Sequence, residues 1–110
     1  MPRGERWTRR ELLAALLVYC SFAPEFRLTR AAAAHPIWLE VLPGRPVSSI
    51  AMRLGNFAYS DPEMTSRGHK GLSGGGVEAH QIVNSVKDDA GYISQTKLLQ
   101  LAAIEHRKIV

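Results

Sequence analysis

The side chains with chemistry to offer in this chain are cationic and hydroxyl-bearing, and they gather between residues 45 and 70. Arg53 and Asn56 lie three residues apart in a segment with helical patterning. Arginine suits the paired acceptors of guanine, and asparagine the donor–acceptor edge of adenine. Ser48 and Ser49 fall at the start of the same segment, where hydroxyls and helix N-terminal amides contact phosphate. Arg45 precedes them in a turn, and Arg67, His69 and Lys70 follow in a loop, placed to hold flanking phosphates.

Catalytic readings fare less well. His35, His69, His80 and His106 form no pair at metal-ligand spacing, and a single cysteine, Cys20, cannot make a cysteine-rich zinc site. Cys20 would be a nucleophile only beside a histidine; it reads more simply as a small buried apolar residue. The Gly74-Gly75-Gly76 run lacks the lysine and preceding strand of a phosphate loop and reads as a flexible connector. Glu78 and His80, two apart, do not face each other on a helix, and Asp88-Asp89 reads as a solvated helix end. The expectation is no enzyme, no metal and no cofactor.

The elements that must position these groups follow from local signals. Thr8 and Glu11 form a capping box, with Trp7 and Leu12 at the two ends of a hydrophobic staple. Leu12, Leu13, Leu16, Leu17 and Cys20 then repeat with helical spacing, predicting a helix over residues 8–20. The alternative for this stretch is a secretory signal, with Arg9-Arg10 ahead of an apolar run; Glu11 against that run argues for the helix. Residues 21–30 read as a loop, residues 31–34 as a short helical extension. Pro36 opens a second helix with Ile37, Trp38, Val41 and Leu42 inward, ended by Pro43-Gly44. A third helix starts at Val47 or Ser48 with an apolar stripe of Ile50, Ala51, Leu54, Phe57 and Ala58. Ser48, Ser49, Met52, Arg53 and Asn56 then lie on the other side. Gly55 costs about 1 kcal/mol inside a helix, understandable if another backbone approaches there.

Beyond it, Ser60 or Asp61 with Pro62 opens a short helical turn, and residues 69–72 form an ordered basic loop. Helices follow over residues 77–86 and 94–108, the last with Leu98, Leu99, Leu101, Ala102 and Ile104 apolar. The prediction is an all-α domain with a central helix-turn-helix over residues 36–57. Residues 1–76 form that domain, and residues 77–110 a helical extension that packs on it or dimerises. Its core includes Trp7, Leu12, Leu16, Trp38, Leu42, Ile50, Leu54 and Phe57.

Size and charge agree with this. A chain of 110 residues with 45% hydrophobic and 22% charged residues is one ordinary globular domain. The apolar run of residues 12–20 is far below the roughly 20 residues of a membrane span. One cysteine excludes a disulfide scaffold and fits a reducing compartment, so a cytoplasmic, nucleoid-associated protein is expected. Residues 1–70 carry ten Lys or Arg against six Asp or Glu, whereas residues 71–110 balance; nine of those ten bases are arginine. Arginine's planar fork matches phosphate and guanine, which directs attention to nucleic acid.

Three strings carry a resemblance. Residues 7–16 (Trp7-Thr8-Arg9-Arg10-Glu11-Leu12 and on through Leu16) are the first, and residues 47–58 (Val47 through Arg53-Leu54-Gly55-Asn56-Phe57-Ala58) the second. The third runs from Asp61-Pro62-Glu63 to Arg67-Gly68-His69-Lys70-Gly71-Leu72-Ser73-Gly74-Gly75. Together they are similar to a bacterial module that precedes the nuclease domain of HNH endonucleases. The resemblance implies DNA binding and no catalysis, since the nuclease part is absent. It departs where Pro46, rather than a Thr-Pro or Ser-Pro, enters the third helix. Double-stranded DNA is the expected partner, with Arg45, Ser48, Ser49, Arg53, Asn56, Arg67, His69 and Lys70 as contacts. The competing expectation is a protein-interaction module, with residues 77–110 as a homodimer contact.

Overall fold

Thr8 closes the start of the first helix from both directions, its hydroxyl accepting from the Glu11 amide at 3.1 Å while the Glu11 carboxylate accepts from the Thr8 amide at 2.9 Å. The computed structural model describes residues 6–107, and from this capping box α1 (Arg9–Ser21) runs through the middle of the molecule. It buries Leu12, Leu13, Ala15, Leu16 and Tyr19 and packs on three helices from later in the chain.

Two short helices come next. α2 (Arg30–Ala33) is capped by the Thr29 hydroxyl, and α3 (Ile37–Val41) follows Pro36. The Trp38 indole donates to the Ala32 carbonyl at 2.7 Å, fixing one on the other. Gly44, at φ +96°, turns the chain into α4 (Val47–Tyr59), which packs on α1, α2 and the two helices after it. These are α5 (Pro62–Thr65), capped by Asp61 with Pro62 in its first turn, and α6 (Val77–Ser85). α7 (Gln95–Arg107) begins beside Ser94, whose hydroxyl accepts from the Lys97 amide at 3.2 Å. Arg9 reaches Glu105 at 2.9 Å and ties α7 to α1.

The architecture is all-α. Among the described residues the only β pairing is an isolated bridge between Lys87 and Ile93, and no helix is long and apolar enough to cross a membrane. All eight expected core residues are buried, Trp7 and Phe57 included. Ala79, Ile82, Val83, Val86 and Leu98 join the same cluster, so α6 and α7 complete the core that α1 and α4 begin.

Some inward and outward assignments differ from the periodic reading. Ala51, expected in the apolar stripe, is exposed, whereas Asn56, expected on the solvent side, is fully buried. Leu99 and Ile104 on α7 face solvent. Asp88-Asp89 sits in a turn rather than at a helix end, with Asp88 Oδ1 accepting from the Ala90 and Tyr92 amides.

A charged cluster sits within the apolar interior. Arg27, in the loop after α1, donates to Asp61 at 3.3 Å and Glu63 at 2.7 Å, and to the carbonyls of Tyr19 and Phe22. Asp61 also accepts from the Tyr19 hydroxyl at 2.6 Å, and burial together with that carboxylate pushes the phenol above its ordinary pKa. Burial likewise pushes the Cys20 thiol up to about 11, so it stays protonated at neutral pH. Removing one member of a buried ion pair leaves the other charged and unpaired. Arg27→Ala is therefore expected to lower the unfolding free energy by about 3–5 kcal/mol, read by urea denaturation. A loss below about 1 kcal/mol, the surface-pair range, would show that the cluster is wet.

Candidate nucleic-acid interface

Trp7 organises the first half of the candidate surface. Its indole donates to Ser49 Oγ at 3.2 Å, and the guanidinium carbons of Arg45 and Arg53 lie 4.9 and 5.3 Å from its ring centre. Arg45 is held further: its Nε and Nη2 form a fork on the Glu11 carboxylate, each bond 2.9 Å, and Nη2 also donates to the Arg6 carbonyl. The Arg45 hydrogen bond leads the interactions that hold the Glu11 carboxyl below the usual carboxylate range. Arg6 itself pairs with Glu78 of α6.

The second half is a segment folded over α4. After α5 the chain returns along the helix, and the Leu72 amide donates to the Gly55 carbonyl at 2.9 Å. Gly71 is required by that approach, whereas Gly55 is met by the Leu72 side chain. A Cβ on Gly55 would lie 2.7 Å from Leu72 Cδ1, and one on Gly71, at φ +68°, only 2.3 Å from the Tyr59 nitrogen. The segment is then fastened from beneath. Asn56 Nδ2 donates to the carbonyls of Leu72 at 2.7 Å and Gly74 at 3.3 Å. Arg53 Nη1 donates to Asn56 Oδ1 at 2.8 Å and to the Gly75 carbonyl at 2.9 Å. From α6, His80 Nε2 donates to the Ser73 carbonyl at 3.0 Å, and its ring lies tilted against that of Tyr59, with centres 4.9 Å apart. The triple glycine is thus held along its length, and a Cβ on Gly76 would collide with the Asn56 amide.

The eight expected contact residues divide accordingly. Arg67, His69 and Lys70 stand together on the exposed loop, and no carboxylate among the described residues pairs with them. Ser48 is exposed at the start of α4, with Ser49 half-buried under Trp7. Arg45, Arg53 and Asn56 depart from their expected roles. Asn56 has no exposure and its amide is bonded on both sides, Arg45 is forked onto Glu11, and Arg53 Nη1 is bonded to Asn56 and the Gly75 carbonyl. Arg53 Nε is even buried without a hydrogen-bond partner. They hold the surface together instead of forming it.

Beside them the structure presents a face of which the periodic reading placed Ser48 and Met52 outward but Ala51 inward. Val47, Ser48, Ala51 and Met52 are exposed at i, i+1, i+4 and i+5, one side of the N-terminal half of α4. Leu72 covers the same line at Gly55, and Tyr59 is exposed beyond it. Of the sequence signals, only the costly glycine at position 55 pointed to this arrangement. No family matches the chain, and neither a curated protein nor a solved structure does so.

The Glu11–Arg45 fork yields a pH prediction. A carboxyl whose folded pKa lies below its unfolded one contributes stability above the unfolded value, about 4.3 for glutamate. That contribution fades as pH falls through the folded value. Thermal unfolding followed from about pH 6 to about pH 3 should show an acid loss that is shallower in Arg45→Ala, which starts from a lower midpoint. Parallel acid limbs in the two proteins would mean that the fork does not set the Glu11 pKa.

Proposed function

We propose that this chain binds double-stranded DNA through α4, with α3, the turn at residues 42–46 and α4 acting as a helix-turn-helix. In that geometry the N-terminal half of the second helix enters the major groove. The observation that carries the reading is the docking of a basic loop on the far half of the same helix. The attachment is made at Gly55 by Leu72 and at the Tyr59 backbone by Gly71, so Lys70, next to Gly71, lies near the C-terminal end of α4. With the exposed half of α4 in the groove, the proposal assigns Arg67, His69 and Lys70 to phosphates flanking the C-terminal end of the helix.

The electrostatics support this. α4 bears no carboxylate, and the loop cations have no internal partner among the described residues. Ser48 and the unbonded amides of the first α4 turn add phosphate donors at the other end. Arg45 and Arg53 serve as positioning residues. This role fits a targeting module of an endonuclease, as the resemblance of residues 7–76 implies, or a free-standing regulator. A second reading rests on Leu99 and Ile104, exposed on α7, as the meeting surface of two copies. A chain that stays monomeric in sedimentation equilibrium at high concentration removes it.

Fluorescence anisotropy with a random-sequence duplex across a salt series tests the proposal. Lys70→Ala and Arg67→Ala should each weaken binding to every sequence and reduce the log–log salt slope by about one. Arg53→Ala should instead lower the unfolding midpoint with no change in preference among sequences. Absence of binding at low salt defeats the proposal.

A further inference from the structure

The geometry points to the C5-methyl group of pyrimidines, in thymine or 5-methylcytosine, as what α4 recognises in the major groove. This rests on the reading of the chain as a DNA-binding module. Its basis is the chemistry left exposed once the internal bonds are assigned. Arg53 and Asn56, the two α4 side chains able to make paired hydrogen bonds to a base, are held by the glycine segment and by each other. Ser49 Oγ already accepts from the Trp7 indole. The solvent-facing residues of the entering half are Val47 and Met52, each about half exposed, with Ala51 and Ser48.

A serine hydroxyl bonds purines and pyrimidines alike and discriminates weakly. The other three present methyl or thioether surface. The apolar feature of the major-groove base edges is the pyrimidine C5-methyl, and small apolar side chains are its partners. Met52, unbranched and polarisable, can adjust to methyl groups at slightly different positions. The loop cations supply attraction to phosphate without sequence preference, so the methyl contacts add discrimination to binding that already exists.

The test uses the intact chain and four duplexes of equal length: alternating dA-dT, the same with dU for dT, alternating dG-dC, and the same with 5-methyl-dC for dC. Each methyl buried should favour the methylated duplex about fourfold, with the salt slope shared by all four. Preference in only one pair assigns the source, thymine or 5-methylcytosine, and still supports the inference. A V47S/A51S/M52S triple variant, checked for folding by circular dichroism, should bring the ratios close to one. Ratios that persist in that variant would arise from duplex shape and overturn the inference. Equal affinity for all four duplexes, with steep salt dependence, also overturns it and leaves DNA binding standing. No salt-dependent binding to any of them overturns both.

Discussion

A primary amide buried without water must find partners for two N–H groups and a carbonyl oxygen within the protein. Asn56 meets this demand with two carbonyls from residues 72 and 74 and one guanidinium from Arg53. No carboxylate can substitute there, because it would face two carbonyl oxygens with nothing to donate. The segment after α5 is thereby held to one path, across Gly55 and Tyr59, on which a Cβ at Gly71 would meet the Tyr59 backbone and one at Gly76 the Asn56 amide. The loop that precedes it, with Arg67, His69 and Lys70, inherits its position from the same bonds.

That constraint also sorts the positive charge. The excess of arginine in the first 70 residues does not translate into a uniformly basic surface. Arg27 pairs with buried Asp61 and with Glu63 at the surface edge of the core, Arg45 is forked onto Glu11, and Arg53 is turned toward the glycine segment. Partly desolvated guanidinium groups keep their charge and so demand fixed partners, which makes them rivets between distant parts of a small chain. The cations left for a partner are fewer, and those on the loop after α5 are concentrated beside one end of one helix.

Most of the fold was legible because its signals are local. Thr8 with Glu11, Asp61 with Pro62, and Gly44 each act within a few residues of where they stand, and every helix begins within a residue or two of its expected start. The candidate surface was less legible for a reason that Asn56 makes plain. A period of 3.6 identifies which residues oppose the apolar stripe, not what later returns to cover them. Arg53 and Asn56 do oppose Ile50 and Leu54, but the covering segment arrives from residues 72–76, and no periodicity encodes that return. The Arg27–Asp61 pair, spanning 34 positions, was hidden for the same reason. Gly55 was the exception: a residue that costs a helix stability asks for a steric explanation, and Leu72 provides it.

The division of labour along α4 has a physical logic. Its C-terminal half is immobilised by the loop, by Asn56 and by Phe57 packed edge-on against Tyr19, with ring centres 5.5 Å apart. Its N-terminal half is anchored by Trp7 on one flank and left bare on the other. Rigid anchoring of both halves means that little side-chain entropy remains to be lost on binding by Val47 and Ala51, and only Met52 keeps several free rotors. An apolar face pre-set in this way gains from a close-fitting methyl group but cannot reach out to correct a poor fit. On the proposed reading, affinity for the charged backbone and discrimination among bases would reside in separate parts of the structure, the loop and the helix, joined by a single buried amide.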